Sequence, residues 1–228
     1  ILLEKPVSIT LAKTKKSIRL LKKLNIPFIV NFIFAELETY KKLKNIIKKE
    51  KIIDVEYTWK FRQAYFQNKI TTWKVNENFG GGLLNYYGIH VIYHLFDLFN
   101  LKEKVKFKII DVNFYKKKNI LIKIIFFLKK IKFNLNININ SDDNLHSIKF
   151  INKTNIIKLQ NSHKDWTKGF KLINKKKNYK FKKESRIEIT KKTIDKLILN
   201  YNKKNILGSN YINKVLNAHI LCEEILKK

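Results

Sequence analysis

The chain has 228 residues, of which 45% are hydrophobic, and its 49 Lys and Arg against 18 Asp and Glu give a formal net charge of +31. This length and hydrophobic content are ordinary for a globular protein with a substantial core, in one large domain or two small ones. The single cysteine, Cys222, excludes an internal disulfide and a cysteine-based metal cluster, and we predict that it is a small buried apolar residue.

The positive charge has two interpretations. A nucleic acid or an anionic membrane would attract such a chain. Codon bias would also produce it, because Lys, Asn and Ile are abundant together while the chain has only 6 Gly and 2 Pro. The lysines are spread over nearly every segment, so we favour codon bias, with a general preference for anionic ligands as a by-product.

Three further patterns bound the class of protein. The longest apolar run, residues 120–128, contains Lys123 and is shorter than the roughly 20 residues of a membrane span. No signal-peptide pattern and no HExxH or CxxC motif is present, so we expect a cytoplasmic protein without a metal site. The chain lacks methionine and begins with apolar residues, so we expect it to be the C-terminal part of a longer protein.

The first elements predict a βαβ unit, which is typical of a parallel sheet. They are a strand end at residues 1–3, a turn at 4–6, a helix that Ser8 or Thr10 caps and that ends near Leu24, and a strand at 27–34. The apolar helix positions Leu11, Ile18, Leu21 and Leu24 fit one face. The nearly continuous apolar run at 27–34 indicates a strand that is buried on both faces.

The middle of the chain alternates regular elements with one long loop. Residues 36–50 have the pattern of an amphipathic helix, and residues 53–61 alternate as in a strand. Residues 62–79 are predicted to form a long loop, and loops of that length are usually functional or mobile. An apolar helix follows and ends near Asn100.

A glycine-rich stretch opens that helix. Four of the six glycines lie between residues 80 and 88, three of them consecutively. Consecutive glycines permit positive φ and bring the main chain close to a ligand at a helix N-terminus. Tyr86, His90 and His94 follow at intervals of four residues and therefore share one helix face. The stretch is predicted to form the floor of an active site, while His94 and His219 are predicted to be core or surface residues.

The second half predicts an antiparallel sheet. The predicted strands are residues 105–115, 120–127, 132–139, 147–151 and 155–160, and the polar segments at 116–119, 141–144 and 152–154 are predicted turns. Residues 133–140 alternate strictly, which gives one buried and one wet face. Residues 165–184 are expected to cover an edge, and helices are predicted at 190–201 and 209–227.

The predicted fold class is therefore α/β plus α+β. It combines the tail of a parallel α/β unit with an open, mostly antiparallel sheet that carries helices on one face. The exposed sheet face needs a cover, which is often another subunit, so we expect a homo-oligomer through that face.

Several motifs, in their order along the chain, resemble the Gfo/Idh/MocA oxidoreductase family. They are Glu4-Lys5-Pro6 after an apolar strand, the segment 31–37, Trp73-Lys74, and Gly80-Gly81-Gly82 followed by Gly88 and His90. The ending Tyr87-Gly88-Ile89-His90 is most similar to members that act in surface-polysaccharide or sugar modification.

The resemblance implies a two-domain enzyme that uses NAD or NADP. Residues 1–35 would be the C-terminal remnant of a dinucleotide-binding Rossmann domain, and residues 36–228 the substrate and oligomerisation domain. The GxGxxG fingerprint is missing from this sequence and would precede Ile1. We therefore expect neither tight NAD(P) binding nor full activity from this chain alone.

The resemblance also implies roles for particular residues. Lys5 would stand between the nicotinamide and the substrate and would stabilise a developing alkoxide, while His90 would be the acid/base residue with Tyr86 assisting. The other implied positions are Glu4 at the cofactor ribose, Pro6 fixing the turn through a cis bond, Trp73 and Lys74 at the pocket mouth against the cofactor, and Gly81, Gly82, Asn85 and Tyr86 at the substrate.

Two positions depart from the family pattern. Tyr86 stands four residues before His90, where many members have Asp, and Tyr93 stands three residues after it, where Asp is also frequent. A tyrosine can donate a hydrogen bond but cannot supply the carboxylate that orients and charges a histidine. Either Lys5 carries the proton with the help of Tyr86, or catalysis is weak.

The function that we predict is NAD(P)-dependent hydride transfer on a sugar or a nucleotide sugar. Two alternatives stay open. One is a nucleic-acid-binding protein that grips phosphates with lysines and stacks bases on the aromatic side chains of its sheet. The other is a relative of the family that has no catalytic activity and is retained for assembly.

Overall fold

The computed structural model describes residues 1–68, 70, 72–101, 106–115, 120–165, 169–175, 177–202 and 209–228. The chain divides by packing into two compact units, the first made of Ile1–Leu37, Trp73–Val105 and Arg186–Lys228, the second of Glu38–Thr72 and Lys106–Ser185. The predicted domain boundary after residue 35 stays a prediction, and the predicted turn at 116–119 lies outside the described residues. Within the described ranges, no helix is long and apolar enough to cross a membrane.

The first unit opens with the predicted βαβ pattern. Strand β1 (Leu2–Leu3) pairs in parallel with β2 (Ile29–Val30), and helix α1 (Leu11–Lys23) lies between them in sequence. The Thr10 hydroxyl accepts a hydrogen bond from the Lys13 amide at 3.3 Å, so Thr10 is the predicted N-cap. Asn25 follows the helix at φ 53°, a left-handed conformation that asparagine tolerates.

Two expectations for this region were wrong in detail. The predicted strand at 27–34 ends at Val30, and the buried residues after it form a 3-10 helix, Ile33–Glu36. Burial alone cannot distinguish a strand from a buried helical turn. On α1, Leu24 was expected on the buried face but is 55% exposed, because it follows the last helical residue; Thr14 and Ile18 are the buried residues of that helix.

The first unit continues with helical segments. Residues 62–79, predicted as loop, contain the short helix α3 (Ala64–Gln67) of the second unit and the 3-10 helices Trp73–Val75 and Glu77–Phe79. The glycine-led helix begins as a π-helix, Leu83–Gly88, and continues as α4 (Ile89–Leu98). The predicted C-terminal helices are confirmed as α5 (Arg186–Asn202) and α6 (Ser209–Leu226).

One ion pair and one hydrogen bond at a helix N-terminus connect helices of this unit that are far apart in sequence. The Lys214 ammonium on α6 lies 2.7 Å from the Asp97 carboxylate on α4. The Leu11 amide at the start of α1 donates to the Glu223 carboxylate of α6 at 2.6 Å, which satisfies one of the unpaired amides of the helix N-terminus. Cys222 is 2% exposed on α6, which confirms the prediction of a buried apolar role; its burial raises the pKa of the thiol.

The second unit is built on an eight-stranded sheet with helix α2 (Glu38–Ile47) and α3. The strands are β3 (Asp54–Arg62), β4 (Phe107–Tyr115), β5 (Leu121–Leu128), β6 (Ile131–Asn138), β7 (Asn140–Ile151), β8 (Ile156–Asn161), β9 (Lys171–Asn174) and β10 (Lys177–Tyr179). Their order is β10-β9-β8-β7-β3-β6-β5-β4, and within the described parts of this sheet only the β3–β6 pair is parallel. The predicted mostly antiparallel sheet is confirmed.

Alternation places the core of this unit on one sheet face. Phe133, Leu135 and Ile137 are fully buried, while Asn134 between them is exposed. The opposite orientation of successive side chains in a strand produces this pattern. The turn predicted at 152–154 is also confirmed, because the Asn152 amide donates to the Asn155 carbonyl at 3.0 Å.

Two predictions about the second half were wrong. Residues 141–144, predicted as a turn between neighbouring strands, belong to β7, because β6 and β7 lie on opposite sides of β3 and form no hairpin. The segment is held there by the pairing of Asn140 with Arg62 and by an ion pair between Arg62 and Asp142. Residues 165–184, expected to cover an edge, contain β9 and β10 and extend the sheet instead.

A buried polar cluster lies between α2 and the sheet of the second unit. The hydroxyls of Tyr57 on β3 and Tyr40 on α2 lie 2.6 and 3.1 Å from Nε2 of His146 on β7. Burial raises the pKa of both tyrosines, so their hydroxyls stay protonated. The Glu184 carboxylate accepts a hydrogen bond from the Glu38 amide at 2.9 Å and so caps the start of α2.

Candidate functional site

The glycine stretch brings two backbone segments of the first unit into contact. A Cβ on Gly81 would lie 2.0 Å from the Trp73 carbonyl oxygen and 2.6 Å from the Lys74 carbonyl carbon, so only glycine fits. Gly80 and Gly82 have φ of 78° and 85°, the positive values that the sequence predicted. The π-helix that carries Tyr86 therefore starts directly against Trp73 and Lys74.

Lys5, in the turn after β1, contacts this π-helix, although 81 residues separate it from Tyr86. Its side chain is buried, with 4% exposure, and its ammonium donates a hydrogen bond to the Tyr86 carbonyl oxygen at 2.5 Å. The same ammonium lies 3.2 Å from the centroid of the Tyr86 ring, the geometry of a cation–π interaction. The Lys5–Pro6 peptide bond is cis, as the sequence predicted.

Burial dominates the electrostatics of Lys5. Desolvation lowers the pKa of its ammonium well below the ordinary value, the Glu4 carboxylate raises it in part, and the Lys74 cation lowers it further. Glu4 is exposed, and its carboxylate accepts a hydrogen bond from the Asn31 side-chain amide at 3.0 Å. A lysine in this state can exchange a proton much closer to neutral pH than an exposed one.

The Tyr86 ring is the centre of this group. The Lys74 ammonium lies 5.6 Å from its centroid, and the Trp73 indole meets it edge-on at 5.4 Å. Trp73 is 43% exposed, so the group adjoins solvent. Four predicted site residues, Lys5, Trp73, Lys74 and Tyr86, are thus in contact around one ring, which we call the Tyr86 cluster.

Most of the other predicted site residues lie next to this cluster in the chain, and Glu4 has a different partner. Gly81 and Gly82 fix the start of the π-helix, and Asn85 is half-buried beside Tyr86. Pro6 follows Lys5 in the turn, whereas the carboxylate of Glu4 pairs with Asn31. The catalytic and binding roles that we predicted for these residues stay predictions.

His90 lies one turn beyond Tyr86 and is enclosed by aromatic rings. The ring centroids of Phe32 and Phe34 both lie 5.7 Å from the His90 centroid, and the His94 imidazole stacks on it at 5.7 Å. His90 is 7% exposed. The predicted alignment of His90 and His94 on one helix face is therefore confirmed.

Sequence reasoning missed Phe32 and Phe34 as neighbours of the histidine. Both belong to the apolar run that was assigned to a strand, and nothing in their spacing pointed to α4. Tyr93, which stands at one of the departing positions, stacks on Phe32 with centroids 3.7 Å apart and rings 8° from parallel. Burial raises the pKa of Tyr93 well above its ordinary value, so this side chain is a neutral core residue.

The residues of the Tyr86 cluster fit the nicotinamide and its ribose better than the phosphates of a nicotinamide dinucleotide. The desolvated Lys5 ammonium and the exposed Trp73 ring suit the reacting ring and its ribose. The phosphates would need a glycine-rich turn at a helix start, whereas α1 begins after Thr10 with no glycine before it. Among the described residues, no group of His, Cys, Asp or Glu could hold a metal ion.

No protein-family model and no curated protein sequence matches this chain. Its fold is shared with solved oxidoreductases. A dehydrogenase, MviM, from Clostridium difficile is 18% identical, with a TM-score of 0.75 over 99% of this chain and 70% of that one. KijD10, a 3-ketoreductase from Actinomadura kijaniata solved with NADP and TDP-benzene, is 9% identical, with a TM-score of 0.78 over 99% of this chain and 70% of that one.

A third neighbour is an oxidoreductase from Desulfitobacterium hafniense that is described as NADPH-dependent. It is 15% identical, with a TM-score of 0.77 over 100% of this chain and 71% of that one. At these identities the likeness establishes the fold, a small parallel sheet plus a large, mostly antiparallel sheet with helices. These three neighbours are dehydrogenases or reductases, and each extends beyond the part that matches this chain.

Proposed function

We propose that the chain is the substrate-holding part of a Gfo/Idh/MocA-type oxidoreductase that acts on a sugar or a nucleotide sugar with NAD or NADP. The observation that carries the proposal is the buried Lys5 ammonium at the Tyr86 ring, in a fold shared with dehydrogenases and a ketoreductase. The motifs from Glu4 to His90 support the same family.

The chemistry assigned to Lys5 follows from its burial. A desolvated ammonium whose pKa is lowered can donate a proton to an oxygen that gains charge and can take it back in the reverse direction. The Tyr86 carbonyl fixes the position of the ammonium, and the Tyr86 ring covers it. A substrate hydroxyl would accept from another of the three ammonium protons while the Tyr86 carbonyl holds the amine in place.

The other side chains of the site would bind and orient the substrate and the cofactor. His90 would assist as an acid or a base at the substrate hydroxyl or carbonyl. Trp73 offers a flat apolar surface, and Lys74 offers a second cation for an anionic group such as a diphosphate. When bound, the nicotinamide cofactor supplies or accepts the hydride.

Titration with a cofactor and a nucleotide tests the proposal. NADPH is added to the 228-residue chain, and to a longer protein that adds an N-terminal nucleotide-binding segment, in the presence of TDP. We expect a saturable change in nicotinamide fluorescence, stronger in the longer protein. Lys5→Met should weaken it, and Lys13→Met, which removes an exposed lysine of α1, should not. No response in either protein would contradict the proposal.

The proposal extends to assembly. The sheet face of the second unit that carries Lys123 and Asn134 has exposed side chains in the described residues. We propose that a second copy of the chain covers this face. Size-exclusion chromatography with light scattering measures the mass directly, and a monomer at all concentrations would contradict this part of the proposal.

A further inference from the structure

His94 is a buried histidine that the proposed function does not use. It lies one turn beyond His90 in α4 and is 1% exposed. Its imidazole stacks on that of His90 with centroids 5.7 Å apart and an angle of 26° between the planes. A side chain of this type, deep in a core and against a candidate catalytic ring, needs an explanation beyond filling space, because a leucine would pack at lower desolvation cost.

The two imidazoles share one aromatic cage. The Phe34 ring meets His94 edge-on at 4.8 Å and lies 5.7 Å from His90, while Phe32 meets His90 edge-on at 5.7 Å. Phe32 is itself held by the parallel ring of Tyr93. The cage is therefore built from α4 and from the segment that runs from Phe32 into the 3-10 helix, both within the first unit.

Burial keeps His94 neutral. Desolvation is the dominant influence and lowers the pKa of His94 to about 3, although the Asp97 carboxylate and a hydrogen bond to the Phe32 backbone raise it; Lys5 lowers it further. Tyr93, from the same helix, stays protonated. A neutral imidazole can stack on His90 in either protonation state of that ring, whereas a second cation at this distance would repel a protonated one.

We propose that His94 is a positioning residue that holds the His90 imidazole in one orientation beside the Tyr86 cluster. The stack and the cage remove the rotational freedom that an uncaged histidine on a helix retains. Orienting a reacting group in advance lowers the entropy cost of the chemical step. The inference rests on the proposed function only for the purpose of that orientation; the orientation itself can be measured without cofactor or substrate.

Two substitutions of His94 distinguish stacking on His90 from simple filling of space in the core. His94→Phe keeps an aromatic plane against His90, and His94→Leu removes it; both lose the hydrogen bond to the Phe32 backbone equally. The readout is the rate at which diethyl pyrocarbonate modifies His90, followed by mass spectrometry at pH 7. A buried ring reacts through local opening. We expect His94→Leu to accelerate the modification about tenfold, the change that follows from about 1.4 kcal/mol of lost holding energy, and His94→Phe to retain the native rate.

His219 is the internal control. It is also buried in the first unit, at 5% exposure on α6, and its own modification rate is read from the same sample. An increase confined to His90 in the leucine variant supports the proposal. Equal His90 rates in the two variants, or parallel acceleration of His90 and His219, would overturn it, because the effect would then be general loosening.

A measurement on the unaltered chain covers the case in which a variant does not fold. Each of the two carbon-bound imidazole protons of His90 should give a single NMR line, shifted upfield by the rings of the cage. Two lines for either proton, or lines at the positions of a free histidine, would overturn the proposal. Neither result depends on turnover, so a failure here is distinguishable from a failure of the proposed oxidoreductase activity.

Discussion

His90 in the first unit and His146 in the second are both buried among aromatic rings, at 7% and 3% exposure. Their chemical surroundings differ. His146 lies within hydrogen-bond distance of two tyrosine hydroxyls, Tyr57 at 2.6 Å and Tyr40 at 3.1 Å, and both hydroxyls are held protonated by burial. His90 lies against Phe32, Phe34 and His94. It is one helical turn from Tyr86, whose ring contacts Lys5 and Trp73.

The difference teaches how to distinguish a structural histidine from a chemical one. A sealed imidazole with hydroxyl partners on a central strand contributes to packing and specificity of the core. An imidazole with aromatic walls, one helical turn from the tyrosine that contacts Lys5 and Trp73, is the one to which our proposal assigns proton exchange with a ligand. Five changes would break or sharpen this contrast.

The largest effect is expected from Lys5→Met. Removing the donor should reduce turnover of the active protein by about 100- to 1,000-fold, while thermal stability stays the same or rises because a buried cation is lost. Lys13→Met is the matched control. Unchanged turnover would favour a non-catalytic relative of the family and would remove the chemical role from the first unit.

Gly81→Ala, which adds a single methyl group, should be the most destabilising glycine substitution. Its Cβ would meet the Trp73 carbonyl oxygen at 2.0 Å, so the loop or the π-helix must move, at about 3 kcal/mol in urea unfolding. Gly169→Ala in the second unit, where φ is 78° but the nearest atom is 3.2 Å away, should cost only about 1–2 kcal/mol. Equal costs would mean that the segment at Trp73 and Lys74 shifts and relieves the contact at residue 81.

The buried histidines of the first unit should make it sensitive to acid. Burial lowers the pKa of His219 to about 4, below the ordinary value that it has when unfolded. The unfolding free energy is highest above the unfolded pKa, where His219 is neutral in both states. It falls as the pH drops toward the folded pKa, because only the unfolded chain then binds the proton. Between pH 7.5 and 5 the native chain should lose about 2 kcal/mol more than His219→Gln in urea unfolding. An identical pH dependence in the two proteins would show that folding does not lower the pKa of His219.

Tyr57→Phe tests the structural side of the contrast. Removing the hydroxyl deprives His146 of its shorter contact and should cost about 1–2 kcal/mol of unfolding free energy. Turnover should not change. Tyr201→Phe, at a tyrosine that is 67% exposed, is the control and should be neutral. Loss of turnover in Tyr57→Phe at preserved stability would assign chemistry to the second histidine as well.

Lys74→Gln should have the smallest effect. The Lys74 cation lowers the pKa of Lys5, so its removal should raise that pKa and move the basic limb of the pH–rate profile to higher pH. The direction of the shift is the test. A shift to lower pH would show that Lys74 does not act on Lys5 through its charge.

Much of the fold could be predicted because local chemistry determines it. Thr10 caps α1 as its position before an apolar helix pattern required, and the alternation at Phe133, Leu135 and Ile137 fixed which face of β6 is buried. The polar run at residues 141–144 misled the prediction, because the residues that flank it, Asn140 and Leu145, pair with β3, which is distant in sequence.

The site could be predicted only as a set of residues. Glycines, tyrosines and Lys5 were assigned to one place through the family motifs, and the contact between Lys5 and Tyr86 agrees with that. The bond of the ammonium to a helix carbonyl, the π-helical start and the cage from Phe32 and Phe34 could not be predicted. Each depends on how segments far apart in sequence meet, which spacing along one segment does not encode.

The position of β3 in the sheet has a consequence for synthesis. Asp54 pairs with Lys132 on one side and with Ile151 on the other, so both neighbours of this central strand leave the ribosome long after it. Until then its apolar face and both hydrogen-bonding edges have no native partner, the situation in which nascent chains recruit chaperones or aggregate. Because such distant pairings also slow folding, the centre of this sheet should form late in the folding of the second unit.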